Sequence, residues 1–245
     1  MAVLWQQRVG TTLYEVRTAG NTRRLYSNGV LHSQYNEQRP VTGNVWDLLL
    51  LPAFLADAGA VRRVLVLGVG GGAVIRQLQH FLQPKRIVGV ELNPVHLQVA
   101  KRFFGVQGPG VTLHQGDAHQ WLAAYTGPAF DLVIEDLFGE CEGQPVRAIV
   151  ADADWMAGLG RVLAPGGILV MNFPSLAELR ACAAQRQVER HATVLRLATP
   201  QNDNAVGAFL PRNPGHGELQ RRLGRVPELD MKRRNCRLRY RLQRL

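Results

Sequence analysis

The chain has 245 residues, of which 46% are hydrophobic, and it carries a formal net charge of +10. This composition excludes a disordered chain, and the length fits one large α/β domain with a small extension. No apolar run approaches the roughly 20 residues that a membrane-spanning helix needs, no secretory signal pattern is evident, and the three cysteines lie far apart. We therefore expect a cytoplasmic protein with no membrane partner and no metal site.

The first 43 residues are predicted to form a small β unit. Short strands are expected over residues 1–40, where Asn28-Gly29 is typical of a two-residue hairpin turn. A helix is predicted over residues 44–58, at the start of the main domain, which we place at residues 44–215.

The main domain contains a buried strand, a glycine-rich turn and the start of a helix. Four glycines fall within five positions, at Gly68, Gly70, Gly71 and Gly72. Glycine lets the backbone turn sharply and lets a ligand approach closely, and the N–H groups at a helix start favour an electron-rich ligand. The alternative is a turn that only packs the helix on the strand, because this glycine pattern is weak by itself.

An acid at the end of the next predicted strand favours a ligand-binding role for the glycine turn. Glu91 lies about twenty residues after the turn, the spacing at which a carboxylate reaches the ribose of a nucleotide bound at the glycines. Such a carboxylate can accept hydrogen bonds from two neighbouring hydroxyl groups. A solvated acid at a strand end is the alternative.

Strands and helices alternate through the rest of the domain. Further strands are predicted over residues 111–115, 130–136, 168–173, 193–198 and 205–210. A loop is predicted over residues 137–151, and a helix is predicted from Ser175 to about Val188. The alternation predicts an α/β fold with a doubly wound, mostly parallel, seven-stranded sheet. The last two strands have no helix between them, so one of them is expected to be antiparallel.

Residues 216–245 are predicted to form a basic helical extension that packs on the core. From Gly217 onward there are ten Arg or Lys residues and three acids, a balance that could attract nucleic acid. Leucines are interleaved with these charges, which favours packing against the core over a nucleic-acid partner.

Five motifs, in order and at consistent spacings, resemble the spermidine synthase family, whose fold is that of the S-adenosylmethionine-dependent methyltransferases. The motifs are Val64–Arg76, Val88–Pro94, Leu113–Ala118, Asp131–Asp136 and Leu163–Gly167. The resemblance implies a transferase with S-adenosylmethionine or decarboxylated S-adenosylmethionine as co-substrate and no metal. It also implies a small-molecule acceptor, for example an amine, and a homodimer.

The resemblance assigns the sulfonium ligand to the glycine turn and to the acid that follows it. Gly68 and Gly70, with Gly71 beside them, would cradle the amino-acid or aminopropyl arm of the ligand. Glu91 would hold the ribose, with Leu92 next to it in the same site.

The other implied site residues follow the third and fourth predicted strands. Asp117 and Ala118 would lie at the adenine edge, where the carboxylate accepts a hydrogen bond from the exocyclic amine. Asp136 would contact both the ligand and the acceptor and would be the catalytic residue.

Several positions depart from the pattern of the family. Members that transfer aminopropyl groups have aspartates where this chain has Gly71 and Gly139, a glutamine where it has His32, and an acceptor-site tyrosine that is not evident near Val45. The two missing acids would bind a cationic polyamine, so the departures favour methyl transfer or a different acceptor over spermidine synthesis.

Three alternatives stay open at this stage. The first is a genuine polyamine aminopropyltransferase. The second is an NAD-dependent oxidoreductase, because Gly68, Gly70 and Ala73 also fit the dinucleotide fingerprint. The third is a non-catalytic or RNA-associated member of the fold that uses the basic C-terminal segment.

Overall fold

The computed structural model describes residues 1–141, 144–184 and 191–245. A four-stranded antiparallel sheet with strand order β1-β2-β3-β4 comes first. Its strands are β1 (Ala2–Val9), β2 (Thr12–Ala19), β3 (Thr22–Ser27) and β4 (Val30–Tyr35). The predicted hairpin turn joins β3 to β4, and Asn28 and Gly29 both have positive φ angles, of 47° and 84°, as this type of turn requires.

A larger sheet follows, and its strands alternate with helices. The predicted helix after the β unit is α1 (Val45–Leu50), which continues as a 3₁₀ helix, Leu51–Leu55. The strands of the large sheet are β5 (Arg63–Leu67), β6 (Arg86–Glu91), β7 (Val111–Gln115), β8 (Phe130–Glu135), β11 (Leu163–Phe173), β12 (Thr193–Ala198), β13 (Ala205–Leu210) and β14 (Arg241–Arg244). The remaining helices are α2 (Ala73–Phe81), α3 (Pro94–Phe103), α4 (Ala118–Ala124), α5 (Ala153–Val162), α6 (Leu176–Ala184) and α7 (Glu218–Leu223).

The large sheet has the order β14-β12-β13-β11-β8-β5-β6-β7. Strands β7, β6, β5, β8 and β11 pair in parallel, and β13 pairs antiparallel with β11 and β12. The expected antiparallel strand is therefore β13. The core strands are apolar on both faces, since helices cover the parallel part of the sheet.

The two faces of the sheet are packed by different elements. Alternate residues of β5 point to opposite faces of the sheet. Val64 and Val66 belong to one cluster of buried side chains, and Leu65 and Leu67 belong to the other. The first cluster includes side chains of the N-terminal sheet and of α1, α2 and α3, and the second includes side chains of α4, α5 and α6. The main domain is thus a three-layer arrangement. No helix among the described residues is long and apolar enough to cross a membrane.

Two features of the predicted fold need correction. Among the described residues the large sheet has eight strands and not seven, because β14 adds to the edge of β12. The segment 216–245, predicted to be helical, contains one short helix, α7, before turns that lead to β14. Its leucines at 219, 223, 229 and 238 are buried, so apolar contacts hold this segment on the core without a long helix.

The predicted loop 137–151 contains a short hairpin. Strands β9 (Phe138–Cys141) and β10 (Gln144–Arg147) pair antiparallel, and positions 142 and 143 lie outside the described residues. The predicted end of the helix after Ser175, residues 185–190, also lies outside them.

The strand order creates a topological switch point between β5 and β8. The chain passes from β5 to β6 and β7 on one side, and continues through β8 and β11 on the other. In open α/β sheets, ligands bind in the crevice outside the carboxyl ends of the strands at such a point. Gly68 follows β5 there, and Asp136 follows β8.

Candidate active site

A cavity of about 640 Å³ opens at this switch point. It lies between the carboxyl ends of the parallel strands and the N-terminal sheet. The structure brings most of the predicted site residues to its wall: Gly68, Gly70, Glu91, Leu92, Asp117, Ala118 and Asp136. Among the described residues no lysine or arginine lines the cavity.

Gly71 is not part of the described cavity wall. A Cβ atom built on it would lie 2.7 Å from Cβ of Ser33 on β4 and 3.0 Å from the ring of Phe104. The position therefore packs the glycine turn against the N-terminal sheet. The sequence could not separate this packing role from a binding role, because the contact partners lie about 35 residues away along the chain.

Gly68 and Gly70 are required by close contacts with the backbone of other segments. Gly68 has a φ of +84°, and a Cβ atom there would lie 2.1 Å from the backbone oxygen of Asp136. Gly70 has a φ of +54°, and its Cβ atom would lie 2.9 Å from the backbone oxygen of His32. Side chains are unfavourable at such φ values, so glycine at these two positions lets the turn pack closely against the backbone of Asp136 and His32.

The carboxylate of Glu91 binds the glycine turn directly. Its Oε2 accepts hydrogen bonds from the N–H groups of Val69 at 3.0 Å and Gly70 at 2.8 Å, and its Oε1 accepts one from Asn93 at 2.9 Å. Burial raises the pKa of Glu91, and these N–H groups oppose the shift. A carboxylate has about four acceptor sites. Backbone N–H groups occupy three of these acceptor sites. Glu91 can therefore accept a hydrogen bond from one hydroxyl group of a ligand, and not from the two that the sequence predicted.

A buried histidine lies beside Glu91. Nδ1 of His96 is 3.7 Å from Oε1 of Glu91, and its Nε2 is 3.1 Å from Oγ of Ser27 on β3. Burial lowers the pKa of His96 to about 4, so the imidazole is neutral at pH 7. His96 was not among the site residues predicted from the sequence. Its position in the first turn of the helix after Glu91 was the available signal.

The wall near α4 combines an apolar side chain with a helix cap. Leu92 is 67% exposed, although it follows a buried strand. Oδ1 of Asp117 accepts the N–H of Gln120 at 2.9 Å and caps α4. Its second oxygen has no donor among the described residues and can accept a hydrogen bond from a ligand.

Asp136 is held by an amide at the end of β11. Nδ2 of Asn172 donates to Oδ1 of Asp136 at 2.8 Å, and Nδ2 of Asn204 donates to Oδ1 of Asn172 at 3.0 Å. Burial raises the pKa of Asp136 to about 6, and the hydrogen bond from Asn172 opposes the shift. The neighbouring Glu135 is not among the described wall residues.

Glu135 instead forms a buried ion pair beneath the cavity. Its Oε2 lies 2.8 Å from Nη2 of Arg147 on β10. Nη1 of the same arginine donates to the backbone oxygen of Asn172 at 2.5 Å. This arginine therefore ties the β9–β10 hairpin to β8 and β11, next to Asp136.

Comparison with known proteins gives a consistent assignment of the fold. A family model described as a methyltransferase domain matches residues 64–167. The chain is 32% identical over 165 residues to a polyamine aminopropyltransferase of Mycobacterium tuberculosis, a match that covers 64% of this chain and 30% of that protein.

Two solved structures have a similar fold. The crystal structure of a probable spermidine synthase from Corynebacterium glutamicum matches with a TM-score of 0.73 at 17% identity, covering 100% of this chain and 91% of that one. Human methyltransferase-like protein 13 in complex with SAH matches with a TM-score of 0.64 at 16% identity, covering 78% of this chain and 94% of that one. The chain has a spermidine synthase-like methyltransferase fold. The recognition and the fold class predicted from the sequence are thus confirmed.

The strand order of this methyltransferase fold also bears on the dinucleotide alternative. The common dinucleotide-binding sheet is parallel, with the order 3-2-1-4-5-6. Here the antiparallel β13 is inserted between β11 and β12. This insertion favours the methyltransferase fold, although the glycine pattern alone fits both.

Proposed function

We propose that this chain is a transferase that binds S-adenosylmethionine or decarboxylated S-adenosylmethionine and transfers a methyl or aminopropyl group to a small-molecule acceptor. The observation that supports this most strongly is the joint position of the glycine turn, Glu91 and Asp136 at one cavity on the switch point. The family-model match over residues 64–167 supports the same proposal.

The residues of the cavity fit an adenosyl ligand chemically. A hydroxyl group of the ribose can use the remaining acceptor site of Glu91, and the exposed face of Leu92 can pack on the adenine. The second oxygen of Asp117 can accept from the exocyclic amine. Gly68 and Gly70 line the same cavity, so the sulfur-bearing arm of the ligand would lie over the glycine turn.

Catalysis in this proposal is mainly positioning. The sulfonium supplies a carbon that is already activated for transfer. The N–H or O–H nucleophile of the acceptor forms the new bond to that carbon, the electrons of the carbon–sulfur bond stay on sulfur, and Asp136 takes the proton. A half-buried carboxylate with a pKa of about 6 is mostly ionised at pH 7 and can act as this base.

Methyl transfer is favoured within the proposal. Transfer of an aminopropyl group requires the site to hold the terminal ammonium of the decarboxylated ligand, and an acid in the glycine turn would serve this purpose. Gly71 supplies none, and the acids among the described wall residues are Glu91, Asp117 and Asp136. We therefore propose S-adenosylmethionine as the preferred ligand.

Calorimetric titration tests this proposal. The full chain is titrated with S-adenosylmethionine, its decarboxylated form and NADH. We expect S-adenosylmethionine to bind with one site per chain, more tightly than the decarboxylated form, and NADH to give no binding heat. Absence of binding for both sulfonium ligands would reject the proposal, and tighter binding of the decarboxylated form would favour aminopropyl transfer.

The ionisation of Asp136 gives a second expected result. Burial stabilises the protonated form, so we expect its carboxyl carbon to titrate near pH 6 in a ¹³C NMR experiment, well above the ordinary value of 3.8. The fraction of ionised Asp136 then rises as the pH increases through 6. Replacing Asn172 with alanine removes a donor to the ionised form and should raise the midpoint further. A midpoint near 4 in the native chain would contradict this account.

A further inference from the structure

Four asparagines form two hydrogen-bonded pairs on the wall of the cavity, one of which includes the asparagine that holds Asp136. We define this asparagine cluster as Asn44, Asn172, Asn202 and Asn204, all of which line the cavity. Asn202 and Asn204 lie on the connection between β12 and β13. Asn202 contacts Asn44 at the start of α1. Asn204 contacts Asn172. The cluster therefore spans three separate parts of the chain.

The hydrogen-bond partners fix which way these amides point. An ionised Asp136 can only accept, so Asn172 must present Nδ2 to it and Oδ1 to Asn204. Oδ1 of Asn44 accepts the N–H of Val45 at 2.7 Å. The atom of Asn202 that lies 2.8 Å from the same Oδ1 must therefore be its donor, Nδ2.

This orientation leaves one acceptor without a donor. Oδ1 of Asn202 is buried and has no hydrogen-bond partner among the described residues. A buried polar atom that stays unpaired costs about 1–3 kcal/mol, and native proteins leave few such atoms. Because Asn202 lines the cavity, a donor group on a bound molecule is the natural partner of this oxygen.

The charge of this part of the wall limits what can bind there. Asp136 is its one acid among the described residues, since Glu91 is bonded to the glycine turn and Asp117 caps α4. Among the described residues, the other side chains that line the cavity around the cluster are uncharged, and Trp46, Phe138 and Ile149 make much of the wall apolar. A second cationic group of a ligand would lose its water without gaining a carboxylate, which is strongly unfavourable.

We propose that the acceptor carries at most one positive charge in its free form and is not a polyamine. It places its nucleophilic N–H or O–H at Asp136 and a second, uncharged hydrogen-bond donor, such as a hydroxyl or amide, at Oδ1 of Asn202. This inference rests on the proposed function, because it takes the nucleoside to occupy the end of the cavity at Glu91.

Two probes of equal length separate a singly charged acceptor from a doubly charged one. 4-Amino-1-butanol has one ammonium and one hydroxyl group, and 1,4-diaminobutane has two ammonium groups. Each is titrated into the full chain saturated with S-adenosylhomocysteine. We expect the amino alcohol to bind at least about tenfold more tightly than the diamine, since only the diamine brings an unpaired charge into the cavity.

A substitution at Gly139 is expected to reverse the preference for the amino alcohol over the diamine. Gly139 lines the cavity, and a Cβ atom there meets no atom of the described residues within 4 Å. Gly139→Asp adds a carboxylate and should raise the affinity for the diamine about tenfold. Gly139→Asn adds the same volume without the charge and should leave the preference for the amino alcohol unchanged.

Asn202→Ala completes the test. This variant should bind the amino alcohol about tenfold more weakly than the native chain does, because it lacks the acceptor for the hydroxyl group. Tighter binding of the diamine by the native chain, or binding of neither probe while S-adenosylhomocysteine binds, would overturn the inference. If S-adenosylhomocysteine itself does not bind, the proposed function fails instead.

Discussion

Replacing Glu91 with alanine should weaken the binding of S-adenosylmethionine by about 10- to 100-fold. The expected size follows from the loss of a hydrogen bond to a charged group, which contributes about 1.5–3 kcal/mol. The carboxylate also holds the N–H groups of Val69 and Gly70, so the variant loses the order of the glycine turn as well. Calorimetric titration of both chains measures the change.

Glu15 provides a matched control for this substitution. It is also a buried acid, but it lies on β2, pairs with Arg17 at 2.5 Å and is not part of the cavity wall. Glu15→Ala should bind S-adenosylmethionine as the native chain does. Near-ultraviolet circular dichroism of the Glu91 variant verifies that it is folded. Unchanged affinity in a folded Glu91→Ala chain would mean that the ribose does not bind there.

Gly68→Ala should destabilise the fold by about 2–5 kcal/mol. The substitution places a Cβ atom 2.1 Å from the backbone oxygen of Asp136, at a φ of +84°. Backbone strain and overpacking each cost about 1–3 kcal/mol, and the clash falls on the backbone, which cannot rotate away as a side chain can. Urea unfolding measures the change, as a lower midpoint at an unchanged slope.

Gly139→Ala is the control for Gly68→Ala, because it adds the same methyl group at the same cavity, where no described residue lies within 4 Å of the new atom. Its unfolding midpoint should stay close to that of the native chain. Equal midpoints for the native chain and Gly68→Ala would show that the turn tolerates a side chain. The close contact between the ends of β5 and β8 would then not be required for folding.

The parallel part of the fold could be predicted because its signals are local. An apolar strand, a glycine turn and a capped helix are read from adjacent residues, as at Asn93, whose side chain accepts the N–H of Val95 at 2.9 Å. The edge of the sheet could not be predicted in the same way. All four residues of β14 are exposed, so their sequence lacks an apolar pattern, and only the pairing with β12 makes them a strand.

The candidate site could be predicted where its residues follow strands. Glu91 and Asp136 stand at strand ends; spacing from the glycine turn predicted Glu91, and the resemblance to the spermidine synthase family implied Asp136. The asparagine cluster gave no such signal, since it joins α1, β11 and the β12–β13 connection through contacts between distant segments. The packing of Gly71 against β4 could not be predicted from the sequence for the same reason. The homodimer, the domain boundaries and a nucleic-acid partner stay predictions.

A crystal structure of the full chain with S-adenosylhomocysteine would test the central claim most directly. We expect a ribose hydroxyl group within hydrogen-bond distance of the Glu91 carboxylate, the adenine between Leu92 and Asp117, and the sulfur over Gly68 and Gly70. The account would be contradicted if S-adenosylhomocysteine bound elsewhere on the chain. It would also be contradicted if the cavity at the ends of β5 and β8 contained no ligand at a saturating concentration of S-adenosylhomocysteine.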